Sequence, residues 1–173
     1  MRTIWQEVEP VTQGSGPIAG LPEVVMEAAP VYRDARGGLL ELYRDDEIPR
    51  GFVPVMACCS WTLPGMSRGP HEHVTQDDYF TFAGPSDFLV ALWDARPGAA
   101  GATRGWRLKL GENFPTRLYV PHGVVHGYRN IGGAPGLVVI VVNQLYRGER
   151  RRQPVDEVRH EHDSNSPYQF PPA

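Results

Sequence analysis

Two windows decide the reading of this chain. Gly65-Met66-Ser67-Arg68-Gly69-Pro70-His71-Glu72-His73-Val74-Thr75-Gln76-Asp77 is followed, after six intervening residues, by Gly84. Later comes Pro121-His122-Gly123-Val124-Val125-His126-Gly127-Tyr128-Arg129-Asn130. Four of the six histidines of the 173-residue chain fall in these windows. In an extended strand, side chains two apart share a face, so His71 and His73 point together while Glu72 points away.

Working outward, the flanking sequence reads as strands and turns. Residues 53–63, 79–82, 87–93, 106–110, 116–120, 125–130 and 136–142 are apolar, aromatic or β-branched runs, and residues 24–26 and 39–43 are shorter ones. Gly, Pro or charged turns separate them roughly every ten residues, without helical period, which predicts an all-β sandwich or barrel. Residues 1–20 are expected to form a loose arm or an added edge strand, and residues 153–173 a tail, on a single domain spanning 1–173.

Composition narrows the function. The net charge is -3 and the only basic run, residues 147–152, is interrupted by Gly148 and Glu149, so nucleic acid is not an expected partner. No apolar stretch approaches a membrane span and the N-terminus has no leader pattern, which predicts a cytoplasmic protein without membrane contact. Adjacent Cys58 and Cys59 offer neither a redox pair nor a zinc knuckle and are read as small buried hydrophobes. Trp61 is assigned to the core. His122 reads as a surface turn residue, and His160 and His162 as solvated.

His71 and His73, with His126 from a later strand and Asp77 as a carboxylate, form a candidate set for a divalent metal: iron, manganese, nickel, zinc or copper. Three nitrogens and one oxygen leave an octahedral ion open to substrate, as catalysis requires. Asp77 is preferred over Asp78 and Gln76 by its spacing to Gly84.

These windows resemble the two signature motifs of the cupin superfamily, G-x5-HxH-x3-4-E-x6-G and G-x5-PxG-x2-H-x3-N, with Asp77 in place of Glu and Pro115 in place of the leading Gly. The resemblance implies a double-stranded β-helix, or jelly roll. Residues 22–150 are further similar to the dTDP-4-dehydrorhamnose 3,5-epimerase family of cupins. Asp34-Ala35-Arg36-Gly37 with Glu41 resembles a segment that helps that family bind its nucleotide sugar. Arg68-Gly69-Pro70-His71 resembles a segment whose Arg contacts phosphate and whose His is the base. The family's Gln and Asn on the preceding strand are replaced by Met56 and Cys58, and its acidic Tyr falls at Ile140.

The resemblance implies an isomerase or epimerase acting on a sugar or sugar nucleotide of the 4-keto type. In that chemistry His71 removes a proton α to a ketone, Tyr128 or Tyr146 replaces the missing acid, and Asp163 or Glu157 orients the imidazole. Arg36, Glu41 and Arg68 bind an anionic, sugar-like small molecule, and the chain forms a homodimer. If His71 instead ligates metal it cannot also be the free base. A metal-dependent oxygenase acting on a small anionic substrate, and a ligand-binding cupin without turnover, are the competing functions.

Overall fold

A computed structural model describes residues 3–171; residues 1, 2, 172 and 173, the outermost of the expected arm and tail, lie outside the described residues. Two six-stranded sheets face each other. The first runs β1 (Ile4–Glu7), β10 (Arg104–Gly111), β9 (Asp87–Asp94), β12 (Val124–Asn130), β7 (Ser67–Glu72) and β14 (Val158–Arg159). The second runs β2 (Ser15–Ile18), β3 (Leu21–Ala28), β11 (Thr116–Val120), β8 (Asp78–Gly84), β13 (Gly136–Val142) and β6 (Met56–Thr62). From β6 onward, the β9–β10 hairpin apart, the chain passes back and forth between the two sheets, the winding of a cupin jelly roll.

Strand alternation builds the core. Phe80 and Phe82 of β8, Val90 and Leu92 of β9, Leu108 and Leu110 of β10 and Tyr128 of β12 all bury between the sheets. Phe82, Phe88 and Tyr128 meet edge to face or tilted, with ring centroids 5.6 Å apart in each pair, an arrangement aromatic quadrupoles favour. Two covers complete the layers. Tyr43, Ile48 and Phe52 lie over Tyr79 and Val141 outside the second sheet. Trp5, Tyr168 and Phe170 lie over Trp93 and Val125 outside the first.

A separate hairpin, β4 (Val31–Asp34) and β5 (Gly37–Leu40), projects from this body. The strand expected over residues 39–43 ends at Leu40. Beyond it Arg44 pairs locally with Glu41, Asp46 and Glu47, holding the chain in turns.

Strand β6 carries a second correction. Cys58 and Cys59 are exposed and Trp61 is 68% exposed, because β6 is the outermost strand of its sheet. An apolar sequence there finds a neighbour on one side only. Among the described residues no helix is long and apolar enough to cross a membrane.

Candidate active site

The register of β12 on β7 places His126 opposite His71. Immediately after, the pairing slips between His126 and Tyr128, and Gly69 makes the slip possible. Its φ is +74°, and a Cβ there would sit 2.6 Å from the His126 carbonyl oxygen, so only glycine lets the two strands approach so closely. His73 lies just past β7, and Asp78 opens β8 in the facing sheet.

These elements gather His71, His73, His126 and Asp78, whose ligand atoms all lie within 4.8 Å of one another. Asp78 Oδ2 is 3.1 Å from His126 Nε2 and 3.3 Å from His73 Nε2. Gln76 donates its amide to Asp78 Oδ1 at 2.8 Å. Asp78 is 3% exposed.

Each imidazole has its δ nitrogen engaged outside the cluster. His126 Nδ1 donates to the Val124 carbonyl at 2.9 Å, and His73 Nδ1 to the Asp156 carbonyl. His71 Nδ1 faces Glu157 Oε1 at 3.6 Å. With its proton on Nδ1, His126 turns its Nε2 lone pair inward. His126 Nε2 is buried without a hydrogen-bond partner, although it faces a carboxylate oxygen. Two acceptors at that distance repel unless a cation or a proton stands between them.

The charge distribution follows. Burial, then the neighbouring His126 and His73, hold the His71 pKa well below the usual value, so His71 is neutral. Burial opposes a charge on His73, but the hydrogen bond and charge of Asp78, the Asp156 carbonyl and Glu157 carry it up to about 9. Burial would raise Asp78; the facing imidazoles of His126 and His73 instead hold its carboxyl well below the carboxylate range. Burial pushes the Tyr128 phenol up, so it keeps its proton, against hydrogen bonds to Ser60 and Thr62 and the Arg68 charge.

The carboxylate chosen from sequence is therefore the wrong neighbour. Asp77 faces the opposite side of the sheet, where it accepts from Tyr119 Oη at 3.0 Å, Asn143 Nδ2 at 3.2 Å and His122 Nδ1 at 2.8 Å. The buried Phe80 and Phe82 share the parity of Asp78, so β8 alternation selects 78. Asp163 is elsewhere: its carboxylate accepts the Asn165 N–H, and the carboxylate facing His71 Nδ1 is that of Glu157.

The cluster floors a cavity of about 850 Å³, walled by Met56, Cys58, Tyr128, Arg68, Tyr146 and Arg147 among others. Thus Arg68, Tyr128 and Tyr146 belong to one concave site with His71. Arg36 and Glu41 do not line it. Arg36 is paired with Asp34 on the projecting hairpin, and Glu41 is paired with Arg44.

The donor types are those that hold a divalent first-row ion. Bonds of about 2.1 Å at right angles separate adjacent donor atoms by about 3 Å, and the two contacts to Asp78 Oδ2 fall there. Imidazole and carboxylate suit iron, manganese, nickel, copper and zinc. The Nδ1 hydrogen bonds of His73 and His126 are the outer contacts that such ligands ordinarily carry.

No protein-family model matches the chain. It is 30% identical over 131 residues to the spore coat polysaccharide biosynthesis protein SpsL of Bacillus subtilis, an alignment covering 73% of this chain and 84% of that one. The chain belongs to the dTDP-4-dehydrorhamnose 3,5-epimerase family of cupins. It is a divergent, epimerase-like member. The probable low-salt glycan biosynthesis epimerase Agl13 of Haloferax volcanii is 29% identical over 117 residues, covering 67% and 74% of the two chains. Among solved structures, NovW, a 4-keto-6-deoxy sugar epimerase of Streptomyces spheroides, superposes with a TM-score of 0.71 at 21% identity, over 94% of this chain and 83% of that one. RmlC of Streptococcus suis, solved with dTDP-D-xylose, gives 0.70 at 20% identity, over 79% and 72%. This likeness establishes the shared fold.

Proposed function

We propose that the chain is an epimerase or isomerase acting on a 4-keto sugar nucleotide, with a divalent ion held by His71, His73, Asp78 and His126. The carrying observation is the gathering of three imidazoles and one buried carboxylate, with ligand atoms within 4.8 Å of one another, at the floor of a cavity in an epimerase scaffold. The sugar part of the reading is supported by the named activities of Agl13 and NovW. When bound, the ion supplies Lewis acidity toward a carbonyl oxygen.

The chain's own groups supply the rest. The Arg68 guanidinium, in the cavity wall, suits a phosphate in two-pronged fashion. Tyr128, protonated and buried in the cavity wall, would donate to a developing enolate oxygen. Tyr146, half exposed at the rim, contacts the outer part of the ligand. A homodimer belongs to the same proposal. It is supported by the apolar, exposed Val53, Val55, Trp61 and Leu63 along the open edge by β6. In such a dimer the hairpin bearing Arg36 and Glu41 would serve a neighbour's cavity rather than its own. We assign the activity to the cytoplasm, on the substrate class alone.

A second reading has one specific support, the facing of His71 Nδ1 and Glu157 Oε1 at 3.6 Å. A neutral His71 backed by a carboxylate is a competent general base: Nε2 takes the proton α to the ketone and Glu157 stabilises the imidazolium, help worth roughly 10² to 10⁴ in rate. Elemental analysis of protein purified without chelator, with His73→Ala beside it, separates the two. Stoichiometric metal that the substitution abolishes supports the metal centre. Metal-free protein that exchanges solvent deuterium into a 4-keto sugar nucleotide, needing His71 but not His73, establishes the free base instead. Oxygen uptake on turnover would replace both with an oxygenase.

A further inference from the structure

We infer that the Cys58 thiol is a second proton-transfer group of this site, returning a proton to the substrate carbon on the face opposite His71. The inference rests on the epimerase reading with His71 as the free base.

Inversion at a carbon α to a ketone needs a group on each side of that carbon. The base removes the proton from one face and leaves a planar enolate. A proton returned to the same face restores the starting configuration, so the general acid of an epimerase must stand on the far face.

The two facing sheets divide the cavity in this way. His71 and Tyr128 stand on the paired strands β7 and β12 of the first sheet, so Tyr128 shares the base's wall. The second sheet supplies the opposite wall through Met56, Cys58, Asp78, Phe80, Ile140 and Val142. Its register sets Ile140 between Cys58 and Phe80, and Val142 between Met56 and Asp78. Alternation along β6 turns Met56, Cys58, Ser60 and Thr62 to one face and Cys59 to the other, and the inward face is fixed by Ser60 and Thr62, which lie beside the Tyr128 phenol. Cys58 is exposed on this inward face because what it meets there is the cavity.

Among the described residues of that wall, the thiol is the group with a proton to give. Met56, Phe80, Ile140 and Val142 have none. Both oxygens of Asp78 are engaged on the floor, Oδ1 by the Gln76 amide at 2.8 Å and Oδ2 between His126 and His73. A thiol with an ordinary pKa of about 8.5 carries its proton at neutral pH, and burial, then Asp78 and Cys59, pushes this one up.

A second feature points to a hydroxylated ligand between the walls. His126 is 4% exposed and its Nε2 has no hydrogen-bond partner. With the ring proton on Nδ1, that lone pair and Asp78 Oδ2, 3.1 Å away, can share the proton of one sugar hydroxyl, which fixes the ring against the floor.

The step balances without a co-reactant. His71 Nε2 takes the α proton and the C–H electrons form the enolate. The S–H bond then breaks, its proton joins the same carbon from the far side, and the carbonyl re-forms. The imidazolium and thiolate left behind return to their starting states by proton exchange with water.

The test follows dTDP-4-keto-6-deoxyglucose in D₂O by NMR, reading deuterium entry α to the ketone and formation of the inverted sugar. Wild type should show both. Cys58→Ser, whose hydroxyl is a far weaker acid, should keep deuterium entry within about threefold, because His71 still removes and returns protons on its own face, and lose inversion by about 10²-fold or more. Cys58→Ala should behave alike, and Cys59→Ser should match wild type in both rates. A packing role for Cys58 would instead lower the two rates together, and that result overturns the inference, as does inversion indifferent to Cys58 or a wild type that exchanges without inverting. Each of these leaves His71 as base if deuterium entry needs it. No deuterium entry in wild type, or entry that survives His71→Asn, overturns the free-base reading and the inference with it.

Discussion

Replacing Asp78 by Asn, beside the matched replacement of Asp77, isolates the carboxylate on which the site turns. Asp78 is 3% exposed, and in chelated protein it balances a His73 whose pKa is carried up to about 9. An amide keeps the shape and removes the charge. Breaking a buried pair by removing one partner costs about 3–5 kcal/mol. At about 2–4 °C per kcal/mol for a domain near this size, Asp78→Asn should melt roughly 6–20 °C below wild type in chelator. It should also copurify without metal. Asp77→Asn removes charge from a carboxylate that accepts from Tyr119 Oη at 3.0 Å and His122 Nδ1 at 2.8 Å on the outer face. One acceptor oxygen survives, so the expected cost is about 1 kcal/mol with metal content unchanged. Circular dichroism melts with and without chelator, and plasma emission analysis after dialysis, give both numbers. If Asp77→Asn loses the metal while Asp78→Asn keeps it, the assignment by strand parity is wrong.

Two further outcomes follow from the same cluster. In chelated protein the raised pKa of His73 stabilises the fold below its ordinary value of 6.5, and that contribution is lost as pH rises through about 9. At about 1.4 kcal/mol per pH unit the loss is about 3 kcal/mol. Urea midpoints from pH 6 to 10 should therefore fall in chelator and flatten in His73→Ala; equal slopes in the two proteins would refute the role given to His73. Gly69→Ala forces a side chain into left-handed backbone 2.6 Å from the His126 carbonyl. It should cost more than about 1–3 kcal/mol and disorder the site, and a melt within 2 °C of wild type, about 1 kcal/mol or less, would contradict the close approach described for β7 and β12.

How much of this was legible in the sequence differs by element. The short apolar runs and their turns announce a β-barrel because the alternation is local. The two histidine windows announce a site because the motif fixes both the strand and its exit. The choice between Asp77 and Asp78 was legible too, had parity been counted from Phe80 and Phe82 instead of spacing from Gly84. The exposure of Cys58 and Trp61 was not: a strand's place at the edge depends on which strand fails to arrive beside it. Asp156 was equally hidden, since it lies 83 residues from His73 in a tail with no period or motif. Glu157 stood only as one of two candidates, the choice being made by the pairing of β14 with β7. Arg36 and Glu41 match a binding segment in sequence, yet the hairpin carries them outside their own cavity.

The number of titratable groups in the cluster also bears on its chemistry. A free-base epimerase of this fold needs one neutral imidazole and one carboxylate behind it, and His71 with Glu157 already meets that need. His73, His126 and Asp78 are additional, and burying them is expensive unless their charges are met. Some cation must sit among the inward-facing Nε2 atoms and the Asp78 oxygens: a proton, shared with His73, or a divalent ion. The two compete for the same lone pairs, so ion binding must release protons and strengthen with rising pH. On the function proposed above, a proton-filled cluster would leave His71 free to act as base, and an ion-filled one would take His71 as a ligand and leave proton transfer to other groups in the wall. Which species fills the cluster at working pH would therefore select between the two proposed mechanisms on one scaffold, and a calorimetric count of protons released on adding Zn²⁺ tests that choice directly.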